Sequence, residues 1–212
     1  MTDLHNILIV TAVEGEKEAV EKGLEGDARF TVIAGGAGIA SSASRTAKEL
    51  GKRRFDLVLN MGIGGGFRGK AEIGATVIGC RSVAADLGAE TADGFVAIES
   101  LGFGTSSYAC DPETLEKLQR AIPGAVTGDV LTLSTVTGSA ATADHLAQSY
   151  PDAVCEAMEG FGAAAAAEAF SVPFAEVRTI SNPVGPRDRE AWKIKEAFVG
   201  LTEAGAKLKE VF

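Results

Sequence analysis

The segment from Met158 to Arg189 reads MEGFGAAAAAEAFSVPFAEVRTISNPVGPRDR, and its pattern predicts the fold class. A strand-like run ends at Glu159, an alanine-rich stretch over 161–170 predicts a helix, and the apolar stretch 173–180 predicts a buried strand. The first strand ends in an acid, and the second carries an arginine and ends in an amide. Because a strand–helix–strand unit brings strand ends to one edge of a sheet, where open α/β folds bind ligands, we expect these polar groups to meet there.

Strands and helices alternate along the rest of the chain as well. Predicted strands cover 6–11, 30–34, 55–60, 74–79, 82–85, 125–126, 130–134 and 153–155, and predicted helices cover 14–24, 39–50, 112–121, 142–149 and 190–211. The stretch 86–111 is rich in glycine and is predicted to be irregular. This alternation predicts a single α/β domain over residues 1–212, with a central mixed β-sheet flanked by helices.

The composition indicates a globular protein with an acidic surface. Of the 212 residues 46% are hydrophobic, and 29 acidic against 20 basic residues give a formal net charge of −9. Such a surface repels phosphate backbones, so we expect no nucleic-acid partner. No apolar run is long enough to span a bilayer, and Met1–His5 lacks the charged and apolar regions of a signal peptide. We therefore expect a cytoplasmic protein with no membrane partner.

The cysteines and histidines predict neither a disulfide nor a metal site. Cys80, Cys110 and Cys155 are odd in number and widely spaced, without a CxxC pair, which indicates buried free thiols in a reducing compartment. His5 and His145 each lack a second metal ligand nearby in the sequence. We therefore expect no metal ion in this protein.

Two glycine-rich segments follow predicted strands. Residues 64–69 match GxGxxG, but the strand-like stretch 74–79 follows where a dinucleotide-binding site requires a helix. The segment is therefore either a backbone turn that needs a positive φ or a close approach or, as we favour, part of the lining of a pocket for a sugar or an anion. Residues 35–38 precede a predicted helix, and their amides either face a ligand anion or make a tight connection.

Polar side chains lie at or near the ends of three predicted strands. Glu16 compensates the dipole of the first helix or acts as a general base. Glu159 is either an acid at a helix N-terminus or part of a cleft. Arg178 lies in an apolar strand, where a buried arginine requires a carboxylate partner, and Asn182 is either a turn residue or a binding group. Their number at strand ends favours a polar cleft.

Two arginines and the single tryptophan follow this region. Arg187 and Arg189 either belong to the cap of the last helix or bind a carboxylate at the rim of the cleft. Trp192 is either a wall of the cleft or part of the core.

Several motifs together resemble the nucleoside phosphorylase / methylthioadenosine nucleosidase superfamily. They are TAVEGE at 11–16, NMGIGGG at 60–66, AMEG at 157–160 and VRTISN at 177–182. Within that superfamily, the segments 135–138 and 180–192 are similar to those of the futalosine hydrolases, a family of menaquinone biosynthesis. The resemblance implies one α/β domain in a homodimer or larger assembly, a small nucleoside as substrate, and no cofactor.

The resemblance also implies a role for each matching residue. Glu16 matches the carboxylate that activates water, Met158 and Glu159 match the pair that holds the ribose, and Arg178 matches the arginine that positions the water. Asn182 occupies the position of an aspartate that protonates the leaving base in adenine-specific members. Further substrate contacts are expected from Gly64, Val136, Thr137, Arg187 and Arg189.

The asparagine at position 182 favours a hypoxanthine nucleoside over an adenine nucleoside as substrate. Its amide donates hydrogen bonds to N7 and to a 6-oxo group, which suits hypoxanthine better than adenine. Glu16 also stands where phosphorolysis would require a basic or hydroxyl side chain, so water is the expected nucleophile. We expect hydrolysis of futalosine to hypoxanthine and dehypoxanthinyl futalosine, with Arg187 or Arg189 on the benzoate-type acid. A purine nucleoside phosphorylase, a methylthioadenosine/S-adenosylhomocysteine nucleosidase and a nucleoside-binding module without activity remain alternatives.

Overall fold

The computed structural model describes residues 6–212, so His5 and the rest of the N-terminal pentapeptide lie outside the described residues. The strands are β1 (Ile7–Thr11), β2 (Phe30–Ala34), β3 (Leu57–Gly66), β4 (Thr76–Ala84), β5 (Gly88–Thr91), β6 (Gly94–Ala97), β7 (Ser107–Ala109), β8 (Val126–Thr132), β9 (Ala153–Ala157) and β10 (Phe174–Pro183). The helices are α1 (Glu14–Leu24), α2 (Ile39–Leu50), α3 (Pro112–Ala121), α4 (Ala140–Ser149), α5 (Gly160–Ala169) and α6 (Ile194–Val211), with 3-10 turns at Ile98–Leu101 and Arg189–Ala191.

The main sheet is mixed and closes on itself. Its strand order is β10-β4-β8-β9-β3-β1-β2, and β10 also pairs with β3 in parallel along almost its whole length. The other edge of β3 pairs with β1 at its start and with β9 at its end. Five strands therefore form a closed ring, and β1 and β2 extend from it. The predicted α/β fold with a mixed sheet is confirmed, whereas the closure was not predicted.

Helices cover both faces of the extended part of the sheet. Along β1, Ile7 and Ile9 pack with α1 and α6, while Leu8 and Val10 pack with α5 and the end of α2. All four side chains are fully buried. This two-sided burial explains why β1 is apolar throughout instead of alternating with polar residues.

Several predicted boundaries were wrong. The last helix begins at Ile194 and not at residue 190, and the predicted strands 125–126 and 130–134 are one strand, β8. β3 continues through the glycines after Asn60, and β10 does not stop at Ser181 but continues through a bulge to Pro183. The predicted strands 74–79 and 82–85 are one strand, β4, with an irregularity in its pairing to β8. Glycine has a low intrinsic strand preference, so neighbouring strands and not local sequence extend these elements. The predicted irregular stretch 86–111 contains the β5–β6 hairpin and β7.

The three cysteines are free. Cys110 and Cys155 are buried as predicted, whereas Cys80 is only half-buried. Within residues 6–212, no group of His, Cys, Asp or Glu is arranged to hold a metal ion, and no helix is long and apolar enough to cross a membrane.

Candidate active site

A cleft with a cavity volume of about 140 Å³ opens where the carboxyl ends of several strands meet. It is lined by residues that follow or end β1, β3, β8, β9 and β10: Ala12, Glu16, Ile63, Gly64, Gly65, Val136, Glu156, Ala157, Met158, Glu159, Ser181, Asn182 and Trp192. Of the predicted site residues, the cleft brings together Glu16, Gly64, Val136, Met158, Glu159 and Asn182.

Glu16 reaches the cleft from the first turn of α1 and is buried. Its Oε2 accepts the N–H groups of Ala12 (2.8 Å) and Val13 (3.2 Å), and its Oε1 accepts the N–H of Ile63 on β3 (2.9 Å). The carboxylate therefore caps its own helix and also faces the cleft, and its role as a general base stays a prediction. Burial raises the pKa of Glu16, against the opposing effects of the Ile63 hydrogen bond and of Arg178. A raised pKa brings a carboxylate closer to the basicity of an effective general base.

Glu159 lies between β9 and α5 and faces the N-terminus of another helix. Its Oε1 accepts the N–H of Gly38 at the start of α2, at 3.1 Å. Gly38 has a φ of 85°, a conformation that glycine adopts without strain. The 35–38 segment thus directs an amide and the positive end of a helix dipole at a carboxylate of the protein itself.

Arg178 is fully buried behind the cleft and does not line it. Its Nε donates to Glu176 Oε1 at 2.9 Å, and its Nη1 lies 3.5 Å from Glu159 Oε2. Its Nη2 donates to Asn60 Oδ1, and Asn60 is oriented by donating its own Nδ2 to Val10 O at 2.8 Å. Although burial lowers it, the surrounding carboxylates raise the pKa of Arg178 above its usual range. The required carboxylate partner of Arg178 is therefore Glu176, with Glu159 as a second, longer contact.

Gly62 on β3 separates Glu16 from Arg178. A Cβ at this position would lie 2.6 Å from Nη1 of Arg178 and 2.8 Å from Oε1 of Glu16. The glycines of β3 have no positive φ, so their role is to allow close approach. Gly64 shows the same crowding, since its Cβ would lie 2.6 Å from Cys155 Sγ.

One of the two amide hydrogens of Asn182 makes no hydrogen bond within residues 6–212. Its Nδ2 donates to Pro183 O at 3.0 Å, and its Oδ1 accepts from the Ser181 hydroxyl at 2.8 Å. Because a backbone carbonyl only accepts, the contact with Pro183 fixes which end of the amide is nitrogen. The second N–H of Nδ2 has no acceptor within residues 6–212 and is available to a ligand.

The remaining predicted residues lie outside the cleft. Thr137 is buried beside it and donates its backbone N–H to Glu156 Oε1 at 3.1 Å. Arg187 and Arg189 are exposed, and the guanidinium of Arg187 lies 5.9 Å from the ring centroid of Trp192. Since Trp192 lines the cleft, Arg187 stands near its mouth. Arg189 is linked to Trp192 only through its backbone, because its carbonyl oxygen accepts the Trp192 N–H at 3.3 Å.

Sequence reasoning missed two buried acids, Glu156 and Glu176. Both lie inside apolar strands, and burial raises the pKa of each carboxyl group. Glu176 is two residues before Arg178, on the same side of β10, so a period of two applied to the buried arginine would have identified its partner. Glu156 was visible as a lone charge between Cys155 and Ala157, directly after the predicted strand 153–155.

The family of this chain follows from a match to a family model. The model of the phosphorylase superfamily covers residues 7–210. The chain belongs to the phosphorylase superfamily. This confirms the superfamily that the motifs indicated.

Relatives of known name and related structures agree with this assignment. A futalosine hydrolase of Streptomyces coelicolor is 44% identical over 97% of this chain and 96% of that protein. A futalosine hydrolase of Thermus thermophilus is 31% identical over 92% and 88%, respectively. The 5′-methylthioadenosine/S-adenosylhomocysteine nucleosidase of Neisseria meningitidis, solved with methylthio-immucillin-A, has a TM-score of 0.85 at 19% identity, over 99% of this chain and 100% of that one. The futalosine hydrolase of Helicobacter pylori has a TM-score of 0.84 at 15% identity, over 97% and 98%. At these identities the solved structures show the fold alone.

Proposed function

We propose that this chain hydrolyses the N-glycosidic bond of futalosine and releases hypoxanthine and dehypoxanthinyl futalosine. One observation carries the proposal: Glu16, Glu159 and Asn182 line a single cleft in a chain that is 44% identical to a futalosine hydrolase. Water supplies the hydroxyl that replaces the base on the sugar, and its proton balances the charge of the departing purine.

The two carboxylates act on the sugar. Cleavage builds positive charge on the ribose. Glu159, with Met158 beside it, accepts hydrogen bonds from the ribose hydroxyls and stabilises that charge. Glu16 takes a proton from the attacking water as a general base. Arg178 contacts Glu159 from behind and lies against Gly62 beside Glu16, so it positions both carboxylates and the water between them.

Asn182 acts on the departing base. Negative charge develops on the purine as the bond breaks, and a hydrogen bond to N7 stabilises it. With one N–H engaged by Pro183, the amide has a single N–H for the Hoogsteen edge of the base, at N7 or the 6-oxo group. Gly64 and Val136 line the same cleft and complete its contacts with the nucleoside, next to Thr137.

The charges of the cleft favour water over phosphate. Within residues 6–212, its lining contains Glu16, Glu156 and Glu159 but no lysine or arginine. A phosphate co-substrate requires cationic or multiple N–H donors beside the sugar, and acidic side chains repel it. This disfavours the alternative of a nucleoside phosphorylase.

The benzoate-type acid of futalosine meets Arg187 at the mouth of the cleft. The indole of Trp192 connects the guanidinium of Arg187 to the cleft wall. Arg189 is the second cation in this segment and the weaker candidate, because it contacts Trp192 through its backbone carbonyl (3.3 Å) and not through its guanidinium.

The resemblance to the same family supports a proposal for the pathway, the compartment and the assembly. The reaction belongs to menaquinone biosynthesis, the protein acts in the cytoplasm, and residues 1–212 form one nucleoside phosphorylase-like domain. It works as a homodimer or larger homo-oligomer on a small nucleoside, without a cofactor, a nucleic-acid partner or a membrane partner.

Release of hypoxanthine from futalosine in phosphate-free buffer tests the proposal. We expect turnover by the unsubstituted protein that phosphate does not increase, and a loss of about 100-fold or more in Glu16→Gln, which keeps the shape of the side chain but removes the base. Glu18→Gln, on the exposed side of the same helix, is the matched control. Turnover that requires phosphate, or faster release of adenine from methylthioadenosine, would replace this function with one of the alternatives.

A further inference from the structure

Glu156 carries a buried carboxylate that the proposed reaction does not yet use. Its side chain lines the cleft and is only 5% exposed. Oε1 accepts the N–H of Thr137 at 3.1 Å, whereas Oε2 is buried without a hydrogen-bond partner in the part of the chain that the structure describes. An unpaired buried acceptor lowers stability, so native structures rarely keep one without a ligand or a functional reason.

The strand register places Glu156 beside Asn182. Gly65 on β3 pairs with Glu156 on β9 across one edge and with Asn182 on β10 across the other. Directly paired residues of neighbouring strands have their side chains on the same face of a sheet. A Cβ on Gly65 would lie 3.3 Å from both Asn182 Nδ2 and Glu156 Cγ, so the bare glycine forms the floor between an acceptor and a donor.

We infer that Glu156 determines specificity for a 6-oxopurine by accepting the N1–H of hypoxanthine while Asn182 donates to the O6 and N7 side of the same base. This inference rests on the proposed function and specifies how its site recognises the base. Along that edge hypoxanthine offers acceptors at N7 and O6 and then a donor at N1. The side chains present the complementary order, a donor followed by an acceptor.

Adenine has the opposite pattern at two of these positions. It carries a donor at the 6-amino group and an acceptor at N1. At the 6-position the free N–H of Asn182 would meet a donor, and at N1 Oε2 of Glu156 would meet an acceptor, whereas N7 accepts in both bases. A site with buried polar groups rejects a ligand that leaves them unpaired far more strongly than an apolar site does.

The contact with Thr137 makes Glu156→Gln a sharp test. The Thr137 N–H only donates, so it holds the oxygen of the new amide at the position of Oε1. The NH₂ group then occupies the position of the unpaired Oε2. The substitution thus converts an acceptor into a donor at the unpaired position of the Glu156 side chain, which the inference assigns to N1 of the base, and keeps the shape of the side chain.

The experiment measures binding of free bases by calorimetry and does not depend on turnover. For the unsubstituted protein we expect hypoxanthine to bind about 10- to 100-fold more tightly than 1-methylhypoxanthine, which lacks the N1–H, and more tightly than adenine. In Glu156→Gln the preference over 1-methylhypoxanthine should fall to within about threefold, and the preference over adenine should decrease in parallel.

A buried acid elsewhere provides the control. Asp129 on β8 is also 5% exposed, and it pairs with Arg81 away from the cleft. Asp129→Asn should lower the melting temperature but leave the ratio of the two affinities unchanged.

Two outcomes overturn the inference. Either Glu156→Gln, folded by circular dichroism, retains the full preference for hypoxanthine over 1-methylhypoxanthine, or the unsubstituted protein binds the two bases equally. If the N1–H preference and its loss are both observed while futalosine is not cleaved, the base recognition stands and the proposed substrate is wrong.

Discussion

Replacing Gly62 with alanine should reduce the rate of hydrolysis about 100-fold while the fold persists. The new Cβ would lie 2.6 Å from Nη1 of Arg178 and 2.8 Å from Oε1 of Glu16. Because heavy atoms that are not bonded rest about 3.5 Å apart, these two atoms must retreat by about 0.7 to 0.9 Å. Both atoms end flexible side chains, so the substitution displaces catalytic groups and not the backbone.

The displacement determines the size of the effect on the rate. Moving Oε1 of Glu16 lengthens its 2.9 Å hydrogen bond from Ile63 and shifts the general base relative to the sugar. A misplacement of roughly 1 Å costs about 100-fold in rate, which corresponds to about 2.7 kcal/mol in the activation barrier. The free energy of unfolding should fall by only about 1 kcal/mol, at the low end for overpacking.

Two other glycines provide matched comparisons. A Cβ on Gly66 would lie 2.0 Å from the backbone oxygen of Ala71, which no side-chain rotation can relieve. Gly66→Ala should therefore lower the free energy of unfolding by about 3 kcal/mol or more. A Cβ on Gly124 meets no atom within 4 Å, so Gly124→Ala should change neither quantity.

Steady-state hypoxanthine release and urea denaturation measure the two quantities in all three variants. The expected pattern is a loss of rate without much loss of stability at Gly62, a loss of stability at Gly66, and no change at Gly124. The reasoning is refuted if Gly62→Ala keeps more than about a third of the parent kcat. A decrease in kcat of less than about threefold is too small for a displaced general base.

Three further predictions concern base recognition, the substrate acid and pH. Asn182→Asp should slow release of hypoxanthine about 10- to 100-fold, because it puts a carboxylate oxygen 3.0 Å from Pro183 O in place of a donor; equal rates on futalosine would contradict this. Arg187→Met should raise KM for futalosine about tenfold and leave KM for a nucleoside without the acid unchanged, with Arg189→Met as the control. Burial raises the pKa of Glu156 above its ordinary 4.5, so the folded protein binds this proton more tightly than the unfolded chain and loses stability as pH rises through that range. Thermal unfolding between about pH 4 and pH 8 should show the melting temperature of Glu156→Gln increasing relative to that of the parent, and a constant difference would exclude this titration.

Local patterns were sufficient to predict most of the fold. The helices over 14–24, 39–50 and 112–121 have the predicted bounds, because apolar spacing and the residues at their ends mark them directly. The closure of the sheet could not be predicted in this way. It depends on β3 continuing through four glycines between residues 62 and 66, and only the strands on either side of them, β9 and β10, stabilise that conformation.

The sequence indicated the polar residues of the cleft better than it indicated their partners. Glu16, Glu159 and Asn182 could be placed at strand ends by pattern and resemblance alone, and the structure brings them to one cleft. Glu156 was not predicted as a site residue because a sequence pattern does not show which strands pair with each other. Its position beside Asn182 depends on both strands pairing with Gly65, which is a property of the register.

The charges around Arg178 make the surface of the cleft negative. One buried guanidinium is shared among Glu16, Glu159 and Glu176, so acidic groups outnumber the cation that neutralises them. Because Arg178 lies behind the carboxylates, the surface that faces the sugar is negative, and Glu159 raises the pKa of Glu16 further after burial has done so. A negative surface stabilises a ribose that gains positive charge and repels a phosphate nucleophile. Under the proposed function, the position of Arg178 thus accounts for the use of water, whereas burial raises the pKa of Glu16 against the opposing effect of Arg178.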